Sequence, residues 1–505
     1  MSWAFSPLVV LAAVLVFPPL GLVLLWMRPS RAWKKLALTL PVLAVGFVHL
    51  VKFYGMRYEL SGSGVPKFFT FRDKESHTKD LEQHRASQQN AGGASDVVEP
   101  PPVVQAAAPP EPVATHAATA ANYWTDFRGP NRLGVYDEMP ILTSWPAGGL
   151  RRLWKQPVGG GYASFVVVDG LLFTIEQRRD QEVVAAYDTA TGREMWTNSW
   201  RAHFQESMGG DGPRTTPVWD AGRIYALGAE GELRCLDAGT GKVIWNKNIL
   251  RENGAENLTW AQAASPLVVD GKLIVLPGGG KGKSVVAYDK LTGKPVWSSQ
   301  DDEQSYTSPT VARVAGKRQL IVVSAVRMMG LTVEDGKLLW DYPWVTEYHV
   351  NAAQPIVIGE NRVFISAGYG HGAAVVELTP SGDQFKVKEI WKNTKLKAKF
   401  NNPVLYQGHI YGMDEGIMAC IDPASGDQKW KGGRYGYGQV LLASGHLVVT
   451  TEQGEVVLVK ATPAGHQELA RFAGVEGKTW NHPAIANGVL FVRNTTEMAA
   501  FRIGR

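Results

Sequence analysis

The chain has 505 residues, 45% of them hydrophobic, and a formal net charge of +5: ample material for a large core, and too little charge bias for a nucleic-acid binder. Its two cysteines, Cys235 and Cys420, exclude a fold built on disulfides. Gly 54 and Trp 17 are both high and suit a turn-rich β chain with large packing residues.

The first predicted elements are apolar. Residues 6–27 (SPLVVLAAVLVFPPLGLVLLWM) carry no charge and are long enough to cross a bilayer, with Pro18-Pro19 kinking the run. The basic loop 28–35 leads to a second run, residues 36–51, extended by Lys52 and by Phe53-Tyr54 at the interface. The start MSWAFSPL lacks the basic n-region of a secretion signal, and a cleaved signal leaves the second run unexplained. Residues 1–56 are therefore predicted to form a hairpin of two transmembrane helices, about 6–27 and 36–54. Arg28, Arg31, Lys34 and Lys35 before the second run balance Lys52, Arg57, Lys67 and Arg72 after it, so charge bias leaves the topology open.

Residues 57–121 read as a linker, polar and mixed in charge to about Asn90 and then rich in Ala and Pro (EPPPVVQAAAPPEPVATHAATAA). Such a stretch has little to bury and makes an extended, semi-rigid spacer.

Beyond the linker one phrase recurs. AYDTATGREMW at 186–196 is written again as CLDAGTGKVIW at 235–245, AYDKLTGKPVW at 287–297 and, shortened, CIDPASGDQKW at 420–430. Degenerate copies at 331–340 and 378–391 keep only the Trp. A spacing of roughly 40 to 50 residues marks a repeat architecture. Within each copy, alternating apolar residues form a strand, Asp-x-x-Thr-Gly closes a hairpin, and the returning strand carries the Trp. Hairpins of this kind bury their faces only against copies of themselves. Trp154, Trp196, Trp245, Trp297, Trp340, Trp391, Trp430 and the substitute Phe472 mark eight units, each with its own tight turn, as at Asp169-Gly170 and Asp270-Gly271.

After Trp480 only three strands fit, at 484–485, 489–493 and 498–503. The isolated strand 150–158 is expected to supply the missing outer strand and close the ring without an exposed edge. Cys235 and Cys420 fall in units two and six, too far apart to bridge, and read as small packing residues.

The globular part opens with Tyr123-Trp124-Thr125-Asp126-Phe127-Arg128-Gly129-Pro130-Asn131-Arg132-Leu133-Gly134, then Trp145-Pro146 with Gly148-Gly149, then Leu153-Trp154-Lys155. These features and the Asp-x-x-Thr-Gly-x-x-x-Trp repeat resemble the pyrroloquinoline-quinone-type repeat propellers of bacteria, the quinoprotein alcohol dehydrogenase-like superfamily that includes BamB-like assembly propellers. The resemblance covers roughly residues 122–505. It implies an all-β, eight-bladed β-propeller with tryptophan-docking repeats, and an export compartment. Expected from it is a head in the periplasm, tethered to the bacterial inner (cytoplasmic) membrane. The membrane spans depart from the lipid anchor of the assembly propellers.

Long connections at 177–182, 201–213, 277–283, 341–349 and 368–372 share one face of such a ring, the usual place for binding. Polar residues where the inner strands begin (Arg214, Tyr306, His349, Asn351, Asn401, Asn402, Trp480, Asn481 and His482) are expected to converge on the channel mouth; solvated rim residues are the competing interpretation. The run 277–284 (PGGGKGKS) is no phosphate loop, because Pro277 takes the first glycine position and a strand follows where a helix N-terminus is needed. Neither zinc-ligand spacing nor a nucleophile elbow occurs.

Two functions follow. One is a non-catalytic binding or scaffold module presenting its loop face to a protein or cell-envelope polymer, with no metal or cofactor. The alternative that the resemblance implies is a dehydrogenase with pyrroloquinoline quinone (PQQ) and Ca²⁺ in the channel, Trp480 or Trp260 as floor and Glu206, Asp211 or Asn401 supplying calcium oxygens. Against it stand the lack of adjacent cysteines and of a Cys-x-x-Cys-His haem motif.

Overall fold

The computed structural model describes residues 6–28, 30–52, 56–70, 74–92 and 124–505, so most of the Ala/Pro-rich spacer lies outside the described residues. The chain forms two compact units, residues 1–60 with 64–79 and residues 61–63 with 80–505.

In the first unit both apolar runs are helical. The run with Pro18-Pro19 is two ten-residue helices, Pro7–Val16 and Pro18–Met27, each spanning about 15 Å, half a bilayer core. The missing proline donors do more than kink the run: it folds back, and a Cβ on Gly21 would stand 2.4 Å from Val14. Ala32–Lys52 is the one helix among the described residues long and apolar enough to span. An antiparallel hairpin, Arg57–Leu60 with Pro66–Thr70, follows.

The second unit is an eight-bladed propeller of antiparallel four-stranded sheets. Blade one, for example, is Val166–Val168, Leu171–Arg178, Gln181–Asp188 and Glu194–Arg201. The ring closes as expected: Arg152–Pro157 pairs antiparallel with Glu497–Arg502 and becomes the outer strand of blade eight. The short strand Val135–Tyr136 adds to blade seven in parallel.

The apolar core lies between blades rather than at a single centre. One layer joins Ile175 and Val184 of blade one to Ile224 and Leu236 of blade two; another joins Val323 and Met328 of blade four to Ile365 and Val376 of blade five. A layer shared by neighbours is why no repeat is stable alone.

The docking tryptophans tie these layers at their outer edge. The indole N–H of Trp196 donates to Ala238 O of the next blade at 3.0 Å, that of Trp245 to Lys290 O at 3.1 Å, and that of Trp430 to Thr462 O at 2.8 Å. The receiving turn is fixed by its Asp: Asp188 Oδ1 accepts from Thr191 N at 2.8 Å and from Thr191 Oγ1 at 2.7 Å. The turn glycine lets the indole lie flat on the backbone. Gly241 has φ +70°, and a Cβ there would meet the Trp196 ring at 2.4 Å. Cys235 and Cys420 stand across the strand pair from Trp245 and Trp430, buried and unpaired, and burial pushes both thiols up to about 11.

The polar stretch predicted as linker contains a helix, Lys74–Gly92. From Asp80 onward it belongs to the propeller unit and is held by polar contacts. Arg85 donates to Pro157 O at 2.9 Å and pairs with Glu194 at 3.4 Å, Gln88 donates to Gln156 at 3.0 Å, and Glu82 binds Arg179 at 2.6 Å. A helix docked by ion pairs and amides carries no apolar stripe, so hydrophobic periodicity does not reveal it.

Candidate functional site

The inner strands begin at a recurring polar-Pro step: Thr216-Pro217, Ser265-Pro266, Ser308-Pro309, Gln354-Pro355, Asn402-Pro403 and His482-Pro483. Proline holds the preceding residue extended and removes one donor from the channel wall. The freed polar side chains link blade to blade. Ser164 N donates to Thr216 Oγ1 (3.0 Å), Thr216 N to Ser265 Oγ (2.9 Å), Ser265 N to Ser308 Oγ (2.9 Å) and Gln354 N to Asn402 Oδ1 (2.6 Å). Asn402 Nδ2 donates to His482 Nε2 at 2.8 Å, and Ser164 Oγ donates to His482 O at 2.7 Å. This belt was visible in the sequence as a repeated dipeptide.

The opening motif fills the channel inside that belt. Trp124 O accepts from Val167 N and Thr125 O from Trp219 N. Arg132 pairs with Asp126 at 2.7 Å and donates to Ser265 O at 3.1 Å and Pro309 O at 2.7 Å. Arg128 donates to Pro403 O at 3.2 Å, and the Phe127 ring lies 5.1 Å from that of His482. One segment touching inner strands of blades one, two, three, four, six and eight must lie on the axis. Burial pushes Arg128 down to about 9, and burial with Arg128 nearby holds His482 neutral, its Nε2 an acceptor.

Above this plug, on the face with the long connections, aromatic rings and cations alternate. Tyr162 stacks on Trp480 (5.3 Å, 29°), and Phe400 lies 4.7 Å from Trp480 and 5.8 Å from Tyr437. Lys478 Nζ stands 4.4 Å over Trp480, Lys399 Nζ 4.6 Å over Tyr369, and the Arg214 guanidinium 5.5 Å over Tyr162. Arg214 and Trp480, both named from the sequence, are thus brought together through Tyr162. Lys399, Phe400, Tyr437, Glu452 and Lys478 complete the rim and were missed; Tyr437, Glu452 and Lys478 are buried there, and only tertiary neighbours bring the five together.

Tyr306 also faces this rim, close enough to Arg214, Glu206 and Tyr369 to interact with them electrostatically, whereas the predicted amides and histidines are used differently. Asn351 is buried in the wall and donates to Ser324 O at 3.0 Å, while Asn401 donates to Gly438 O at 2.6 Å and Asn481 to Ala163 O at 2.9 Å. His482 lies in the belt. His349 is exposed beside Glu303 at 3.3 Å. Asn351, Asn401 and Asn481 thus spend their amide N–H groups on neighbouring backbone at the strand starts.

A quinone held over a tryptophan with Ca²⁺ beside it needs a free indole face and a cluster of oxygen donors. Trp480 is in contact with Tyr162, Phe400 and Lys478. Glu206 Oε1 accepts from Gly210 N at 2.9 Å and pairs with Arg214 at 2.9 Å, and its Oε2 accepts from Met208 N at 2.6 Å. Trp260 faces Tyr306 at 5.9 Å. Among the described residues no three His, Cys, Asp or Glu side chains could hold an ion together. Trp480 and Glu206, taken up by these protein partners, do not fit this cofactor pair.

Residues 179–432 match the family described as outer membrane protein assembly factor BamB. The chain belongs to this PQQ-repeat propeller family. A quinohemoprotein alcohol dehydrogenase of Comamonas testosteroni is 33% identical over 147 residues, 27% of this chain and 19% of that protein. A BamB of Nitrosomonas eutropha is 26% identical over 225 residues, 42% of this chain and 50% of that protein. A europium-containing methanol dehydrogenase structure superposes with a TM-score of 0.56 at 14% identity, covering 74% of this chain and 89% of its own. The matched region thus spans half or less of these two sequence relatives, and the structural likeness is one of fold.

Proposed function

We propose that this family member is a non-catalytic binding propeller, anchored by its N-terminal apolar helices in the bacterial inner membrane, with its head in the periplasm. Its long-connection face takes a protein or a cell-envelope polymer. The observation that carries this reading is the combination of a channel filled by Trp124–Gly134 contacts with a rim of alternating rings and cations above it. Such a rim gives contact area and cation–π attraction to a partner without supplying a reacting group. The assembly-factor relatives favour a protein partner.

Photo-crosslinking residues placed at Met208 and Tyr348, both exposed on long connections, are expected to give discrete adducts in native membranes. Residues at Ala221 and Asp270, in the tight turns of the opposite face, are expected to give none. Equal labelling of both faces sinks the reading, as does stoichiometric quinone binding with alcohol-dependent reduction. A reporter fused after Ala121 tests the compartment; activity only in the cytoplasm reverses it.

A further inference from the structure

Ser61–Ser63 belongs to the propeller unit, far in sequence from the blades it touches. Gly62 N donates to Glu452 Oε1 at 2.7 Å, and Lys399 Nζ donates to Gly62 O at 2.8 Å. Both polar atoms of one residue are thus bracketed by opposite charges from two different blades. Tyr437 closes the third side: a Cβ on Gly62 would stand 2.2 Å from its Cγ, closer than any side chain tolerates. Ser61 is buried, and its Oγ lies 2.6 Å from Ser63 Oγ and accepts from Ser63 N at 3.3 Å, which bends the segment so that the glycine points inward.

The bracket is built from the rim itself. Glu452 Oε1 also accepts from Trp480 Nε1 at 3.1 Å, and the Glu452 backbone is pinned by Tyr435 O and Thr479 N. Lys399 Nζ lies between the rings of Tyr369 (4.6 Å) and Tyr437 (4.9 Å).

The geometry points to a peptide-binding clamp in the channel mouth, formed by Glu452, Lys399 and Tyr437, that selects a glycine turn and holds Ser61–Ser63 as its resident ligand. A carboxylate for the N–H and an ammonium for the carbonyl read the two peptide units that flank one residue with charge-assisted bonds, and the tyrosine rejects every residue with a side chain. The segment is covalently attached, so any outside glycine turn competes against a high local concentration. Access to this part of the rim therefore depends on release of the segment. The clamp is independent of which external partner the loop face takes.

The test uses the full chain in detergent. Hydrogen exchange over residues 59–65 is followed together with binding of a labelled peptide of sequence YELSGSGV (residues 58–65). The wild-type segment is expected to exchange at least tenfold more slowly than in Gly62→Val, and the peptide to bind Gly62→Val but not wild type. Adding Glu452→Gln to Gly62→Val is expected to weaken peptide binding at least tenfold. Lys399→Met, which leaves the glycine intact, is expected to speed exchange in the same segment alone and serves if Gly62→Val fails to fold. Equal exchange in wild type and both single variants overturns the clamp. So does a peptide carrying Ala for Gly62 that binds as well as the original.

Discussion

Trp340 donates its indole N–H to Gln319 Oε1, 2.6 Å away within its own blade, whereas Trp196 and its equivalents donate to a carbonyl of the blade that follows. The difference lies in the receiver. Blade five closes its outer pair, Gly372–Ser381 with Gln384–Asn393, as a long ladder without the Asp-x-x-Thr-Gly turn, so no carbonyl is presented. Gln319 is fully buried, and its Nε2 donates to Val314 O at 3.0 Å. Gln319→Leu strands both groups and is expected to cost ~1–3 kcal/mol in urea unfolding. Trp340→Phe in the same background is expected to recover part of that loss, a coupling a double-mutant cycle reads.

Phe472 stands at a docking position without a donor. Its receiver would be the outer hairpin of blade eight, which does not exist because the outer strand arrives from residues 152–157. Phe472 instead packs 4.9 Å from Phe501 and 5.5 Å from Trp145, with a Cβ on Gly149 placed 2.3 Å from its ring. Restoring the repeat consensus with Phe472→Trp is therefore expected to destabilise, by ~1–3 kcal/mol, through overpacking and an unmet N–H. A rise in the unfolding midpoint contradicts this.

Two glycines separate conformational strain from close approach. Gly222 (φ +78°) has open space where a Cβ would sit, while Gly241 (φ +70°) has the Trp196 ring at 2.4 Å. Gly222→Ala is expected to cost only the left-handed backbone term, ~1–2 kcal/mol. Gly241→Ala adds overpacking of ~1–3 kcal/mol. Equal losses in thermal unfolding rule out the docking contact as the reason for glycine.

Glu182 is buried between blades one and two, where Oε1 accepts from Ala229 N at 2.9 Å, and burial pushes its carboxyl from 4.5 up to about 7. The folded state therefore holds a proton that the unfolded chain has lost. Stability from this group is complete below about pH 4.5 and falls as pH rises to about 7, by up to ~3 kcal/mol. Glu182→Gln is expected to flatten that part of the stability–pH curve; an unchanged slope places the titration elsewhere.

The repeat phrase alone determined the blade number, the docking tryptophans and the closing strand, because each depends on a local pattern: alternation, a turn signal, and one large ring per period. Trp340 and Phe472 were legible as members of the series, but their hydrogen-bond fates were not, since each depends on the turn that a neighbouring blade happens to present. Helix Lys74–Gly92 stayed hidden because polar contacts, which have no period, dock it. The channel is the sharpest case. Arg128 and Arg132 were read as part of a motif, and Asn351, Asn401 and His482 as residues converging on a mouth. Ring closure brings the motif onto the axis and turns the amides into the wall, and it sets Lys399, Tyr437 and Glu452 around Gly62. Which side chains share a space is decided by how the blades stand around the circle, and no single stretch of the chain encodes that.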